Sequence, residues 1–239
     1  MSERGDPDVR AHRFQTRSAG ILALLGTVLT IVGQLLQQRA DIPRGAPLEV
    51  FGYIAGRPWF TAALIGVLGM LCWAMAFVTA GHALRDPVSR SIARMAEPLL
   101  VVATVLFAVN YAHDGLSSGI LAQQWISGEL DTDTATAAYR VVEILVGGVP
   151  TLSQALVGLA LAVYALAMLR SGQHSRVLSW LGLISTIGWL LTGSALFLQL
   201  PGASFELLLP FSGLATVWVL GIGITLLRRS SSETRPDPN

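Results

Sequence analysis

Six long apolar runs leave this chain few ways to fold. They are Ser18–Leu36, Trp59–Leu84, Pro98–Leu121, Val141–Leu169, Val177–Leu198 and Phe205–Leu227. A helix needs about 20 apolar residues to cross ~30 Å of hydrocarbon, and inside lipid each backbone polar group must be bonded within the protein. Helices satisfy both conditions. The pattern therefore predicts an all-α polytopic membrane protein, a six-transmembrane-helix bundle over residues 18–229, with disordered tails at 1–17 and 230–239. Charged residues make up 13% of the chain, against about 25% in soluble domains, so no stretch is left for a separate water-soluble domain.

Arginine placement orients the bundle. All sixteen basic residues are arginine, a usage that points to a GC-rich bacterial genome. Twelve lie in the tails and even-numbered turns; Arg39, Arg44, Arg57 and Arg140 lie on the other side, with Glu129, Asp131 and Asp133. Positive charge stays cytoplasmic, so both termini are expected in the cytoplasm and the protein in the bacterial inner (plasma) membrane. No cleavage pattern follows the first apolar run, which is expected to remain as an anchor. A net charge of +1 gives no sign of a nucleic-acid partner. The lone Cys72 can form neither an intrachain disulfide nor a multi-cysteine metal site.

Several local features refine the bundle. Trp59, Trp125 and Trp180 fall near run ends, where indoles favour the headgroup region; Trp73, Trp189 and Trp218 lie deeper and are expected to pack. Gly66 and Gly69, Gly147 and Gly148, Gly188 and Gly193, and Gly221 and Gly223 allow close helix approach. The first outer loop, Gln38 to Pro58, reads equally as an interfacial segment or a plain loop. LGTVLTIVGQLL in the first run resembles LGLISTIGWLL in the fifth, as low-diversity apolar text does by chance. The fourth run extends to a 34-residue helix from Thr136 to Leu169, about 50 Å long and beyond the hydrocarbon, with a kink expected at Pro150. Its outer part places Arg140 and Glu143 three apart on one face, where they form a candidate outer ion pair.

The third run contains the polar group that most needs an explanation. VNYAHDGLSSGILAQQW places Asn110, His113 and Asp114 in continuation of apolar text. Counted from Pro98, Asp114 lies ~24 Å from the inner boundary, in the outer third of the bilayer. Similar counts bring Gln34, Gln154, Thr192 and Ser194 (flanking Gly193) and Ser212 to one depth. An Asp at a helix centre costs about 2.5–3.5 kcal/mol to insert, so it is expected to face polar groups or water inside the bundle. Two readings fit. The layer is either interhelical glue or the lining of an outward-facing polar pocket, and Gly115, Ser117 and Ser118 leave space beside the carboxylate.

Catalytic and cofactor signatures are absent. There is no GxSxG elbow, phosphate loop or HExxH, and His113 beside Asp114 points about 100° away around a helix, so no metal centre and no cofactor is expected. His82 and His174 lie at cytoplasmic ends and are expected to be solvated. The leading reading is a non-enzymatic membrane protein that binds a small-molecule ligand or a membrane protein partner through His113, Asp114, Asn110, Gln154, Gln34, Thr192 and Ser194. A structural or regulatory subunit is the first alternative, and a proton-coupled carrier or membrane-embedded enzyme using Asp114 the second.

HDGLSSGILAQQW, an acidic-alanine linker and LVGLALAVYALAMLRSGQHSRVLSWLGLISTIGWLLTG together resemble the uncharacterised six-helix integral membrane proteins common in actinobacteria. The resemblance spans Ala93 to Arg229 and rests on Asp114-Gly115, Leu121-Ala122, Trp125, Leu169 to Gly172 and Leu178 to Gly182. The group often has a proline before its fifth helix; this chain reads HSRVLSWLG, without one. Its Arg-x-x-Glu element matches either Arg94–Glu97 or Arg140–Glu143. The resemblance implies six helices and no established activity.

Overall fold

The computed structural model describes residues 7–38, 41–43 and 47–232, and helices account for nearly all of them, with no strand among them. In chain order these are α1 (Pro7–Gln37), α2 (Pro47–Ala55), α3 (Trp59–His82), α4 (Pro87–Ala112), a π-helical turn (His113–Ser118), α5 (Gly119–Ile126), α6 (Thr132–Ser171), α7 (Arg176–Phe197) and α8 (Phe205–Ser232). Six segments are long and apolar enough to cross a membrane: α1, α3, α4 continued through α5, α6, α7 and α8. The chain is an all-α, multi-pass membrane protein.

At α4, α6 and α7 the helix start is set by a capping side chain. The Asp86 carboxylate accepts from the Ser89 amide at 2.8 Å and Pro87 opens the helix, so α4 begins eleven residues before Pro98. Pro98 lies inside α4 rather than at its start. Similarly, α1 begins at Pro7, and residues 7–17 are helical where a disordered tail is expected. Met1 to Asp6 and residues 233–239 lie outside the described residues. Asp131 caps α6 through the amides of Asp133 and Thr134, and Ser175 caps α7 through Leu178. At the end of α6, Gly172 takes a left-handed conformation, φ 63°, that stops the helix. The fourth span is one helix of 40 residues that continues through Pro150.

The six spanning segments form a closed ring: α1 packs on α3, α3 on α4, α4 on α6, α6 on α7, α7 on α8, and α8 returns to α1. Lipid is as apolar as leucine, so such helices associate through close packing rather than through hydrophobic expulsion. Small residues sit at these contacts. A Cβ on Gly193 would lie 2.6 Å from the Ala155 backbone nitrogen, and one on Gly69 2.9 Å from the Thr30 nitrogen. The pairs around Gly66, Gly69, Gly188, Gly193, Gly221 and Gly223 all meet a neighbouring helix, whereas Gly148 faces open space. At the centre, Phe77 stacks on Trp218 at 5.1 Å and meets Tyr164 at 5.4 Å, tying α3 to α8 and α6. Leu25, Val28, Leu68, Val101, Val105, Leu191 and Val217 are exposed around the outside, as a lipid-facing surface requires.

A second, smaller apolar cluster caps the end of the ring away from Pro7 and Ser232. It joins Val50, Phe51 and Ile54 of α2 to Trp59, Ala122 and Ala135. Phe51 meets Tyr139 edge-on at 5.3 Å and Trp125 at 5.9 Å. The loop Gln38 to Pro58 thus contains a packed helix. Its return is pinned by Arg57, which donates to the Tyr53 carbonyl and to Gln38 Oε1, both at 3.0 Å, and lies over the Tyr53 ring.

Candidate functional site

Asp114 sits where the main core and the small cap meet, inside the π-helical turn. Such a turn carries one residue more than an α-helix allows and shifts the backbone bonding partners. The indole of Trp59 donates to the Asp114 carbonyl at 3.0 Å. Two glycines make this approach feasible. A Cβ at Gly115 would run into the Ala63 side chain, and one at Gly119 would meet the Phe60 ring at 2.8 Å. Three residues of the first turns of α3 therefore abut the turn at Asp114 and Gly115 and the start of α5 at Gly119. The glycine and serine composition of HDGLSSG suits this tight contact.

Within this turn the two adjacent polar residues separate. Asp114 is 7% exposed, whereas His113 faces outward. One helical turn earlier, Asn110 is 4% exposed, and its Oδ1 has no hydrogen-bond partner among the described residues. Tyr111 lies beside it, stacked on Phe107 at 4.5 Å and over Gly66, and its hydroxyl accepts from Gln34 Nε2 at 3.2 Å. Ser118 is also buried.

The remaining candidates divide between two groups. Gln34, Asn110 and Asp114 belong to the side built by α1, α3 and α4. Gln154 belongs to the α6–α7 contact, where its Oε1 accepts from Trp189 Nε1 at 2.7 Å. Thr192 hydrogen-bonds back to the Gly188 carbonyl of its own helix at 2.8 Å, and Ser194 is half-buried nearby on α7. Arg140 and Glu143 are both exposed, and neither is in an ion pair among the described residues, so the expected outer pair is not seen. Two solvated side chains three apart on a helix gain too little to hold one geometry. Among the described residues no cluster of three metal-ligating side chains occurs.

Some participants carry no warning in the sequence. Trp59, expected at the headgroups, is buried and bonded to the Asp114 main chain. Gln37 is fully buried beside the Tyr53 hydroxyl contact, although QLLQQ marks only the end of an apolar run. The signal available for Trp59 was its place directly after GRP, at the start of a helix that must return next to the third span.

At the opposite end, polar groups are more conventionally paired. His82 Nε2 and Glu97 Oε1 are 2.6 Å apart, and Arg170 approaches Asp86 at 3.9 Å. His174, expected to be solvated, is instead 7% exposed, in the α6–α7 connection. Burial and the neighbouring Arg229 guanidinium push its pKa down to about 4, so the ring is neutral near pH 7. No protein-family model, curated protein or solved structure matches the chain.

Proposed function

We propose that this membrane protein binds a small cationic or hydrogen-bond-donating ligand at Asp114 and Asn110. The observation that carries this reading is the Asn110 Oδ1 acceptor, buried and without a partner among the described residues, one helical turn from a buried carboxylate. An unpartnered buried acceptor costs about 1–3 kcal/mol, and a ligand donor would remove that penalty. The π-helical turn supports the same reading, because such turns gather at functional sites. Access would come from the end capped by α2 and α5, through movement of the Phe51 cluster. Arginine distribution supports a topology with both chain ends in the cytoplasm and the site toward the outer leaflet of a bacterial plasma membrane. Membership of the six-helix actinobacterial group is part of the proposal.

The competing reading is interhelical glue, favoured by the Trp59 bond to Asp114 and the Gln34 bond to Tyr111. Purified protein should separate the two when melted with sodium, potassium, ammonium and guanidinium salts at constant ionic strength. Ligand binding predicts that one of these cations raises the melting midpoint of the native protein, through a stabilisation of about 2.7 kcal/mol at a hundredfold excess over Kd. In Asp114→Asn that rise should vanish while the fold persists. A destabilised Asp114→Asn, with no cation response in either protein, would establish glue.

A further inference from the structure

A different surface, at the end of the ring that carries both Pro7 and Ser232, has its own chemistry. On α1, Phe14 and Arg17 fall on one helical stripe with Ile21, Leu25 and Val28, all exposed. On α8, Val217, Leu220, Ile224 and Arg228 form a second exposed stripe at the same spacing. The two helices are neighbours. A Cβ on Gly20 would meet Leu227 at 2.9 Å, and one on Gly223 would meet Leu24 at 2.9 Å. This antiparallel register brings Arg17, one turn before Gly20, level with Arg228, one residue after Leu227. The outward-facing stripe of each of these two neighbouring helices therefore ends in a guanidinium, and the two lie at one level.

We propose that this seam is a docking site for an anionic phospholipid, with Arg17 and Arg228 on its phosphate, Arg13 at the margin and the acyl chains along the apolar stripes. Charge complementarity identifies the occupant: Arg13, Arg17 and Arg228 make no ion pair with any described residue. Continuity with the lipid-facing stripes selects a lipid over a soluble phosphate. A free anion has no use for the apolar surface directly above the arginines, whereas a diacyl lipid covers both. Phe14, 73% exposed beside Arg17, fits a ring inserted at headgroup level. Guanidinium groups also bind phosphate in a planar, two-pronged geometry that ammonium groups cannot match.

The test uses the full chain in nanodiscs or detergent, with native mass spectrometry counting bound lipids. The probes are phosphatidylglycerol and phosphatidylcholine of identical acyl chains, with glycerol phosphate as the soluble control. The expected result is preferential retention of phosphatidylglycerol, weakened about fivefold in Arg17→Gln or Arg228→Gln and about twentyfold in the double variant. Arg94→Gln, away from the seam, should leave it unchanged. Added salt should reduce the preference of the native protein, a reading that remains decisive if the double variant does not fold. Equal retention of both lipids, equal loss in Arg94→Gln, or equal competition by glycerol phosphate would overturn the proposal. So would an arginine-dependent dimer without lipid preference, which would assign the seam to a second copy.

Discussion

Asp114 and His113 are adjacent in sequence, yet one is buried and the other faces outward. Helical geometry alone separates neighbouring side chains by about 100°, so that divergence was legible. Which side would be interior was also legible, because a carboxylate in an apolar run cannot face lipid cheaply. The partners were not. Trp59 and Tyr111 read as ordinary aromatic residues, and only the approach of α3 and α1 to α4 gives their polar atoms something to bond. His174 shows the same limit at the other end, since nothing in SGQHSR distinguishes a buried imidazole from a solvated one. Its burial has a measurable consequence. With a folded-state pKa of about 4 against an ordinary 6.5, the neutral ring contributes stability that is complete above about pH 6.5 and is lost as pH falls toward 4. Stability should decline across that window by roughly 3 kcal/mol, read as a falling melting midpoint. His174→Gln should flatten the decline, and an unchanged slope would exclude the imidazole as its source.

At the scale of elements, apolar runs located the six spans but misplaced the beginnings of the first, third and fourth. Pro98 looked like a helix start because the arginines before it interrupt the apolar text, whereas Asp86 and Pro87 supply the cap. The π-helical turn had a hint in HDGLSSG, but its extra residue matters only against the first turns of α3. Removing that residue gives a direct test. Deletion of the exposed Leu116 should restore continuous α-helix while leaving circular-dichroism helicity essentially unchanged. It should also abolish the cation stabilisation proposed for Asp114, through loss of the Trp59 contact. Retained stabilisation would mean that the turn is incidental. Packed and open glycines make a second test. Gly193→Val forces side-chain atoms against the Ala155 backbone and should cost about 1–3 kcal/mol or more in thermal unfolding, whereas Gly148→Ala, in open space, should be neutral or slightly stabilising.

For the whole molecule, the closed ring explains why the expected polar layer divides. The guessed depths of Gln154 and Asp114 agreed by counting from run ends, but depth says nothing about azimuth. Asp114 meets α3, while Gln154 is engaged by Trp189 of α7. The phospholipid seam is likewise a product of ring closure, because it needs the first and last helices side by side. By itself, the sequence determined the bilayer as solvent, the number of spans and the burial of the acidic group. Those follow from local apolar length and from the cost of charge in hydrocarbon, which depend on neighbours in the chain. Tertiary structure alone decided which helices touch, which aromatic donors serve the polar residues and that the first and last helices lie side by side. Close packing between lipid-soluble helices is governed by shape at a few small residues, and apolar text permits many such pairings before the folded ring selects one.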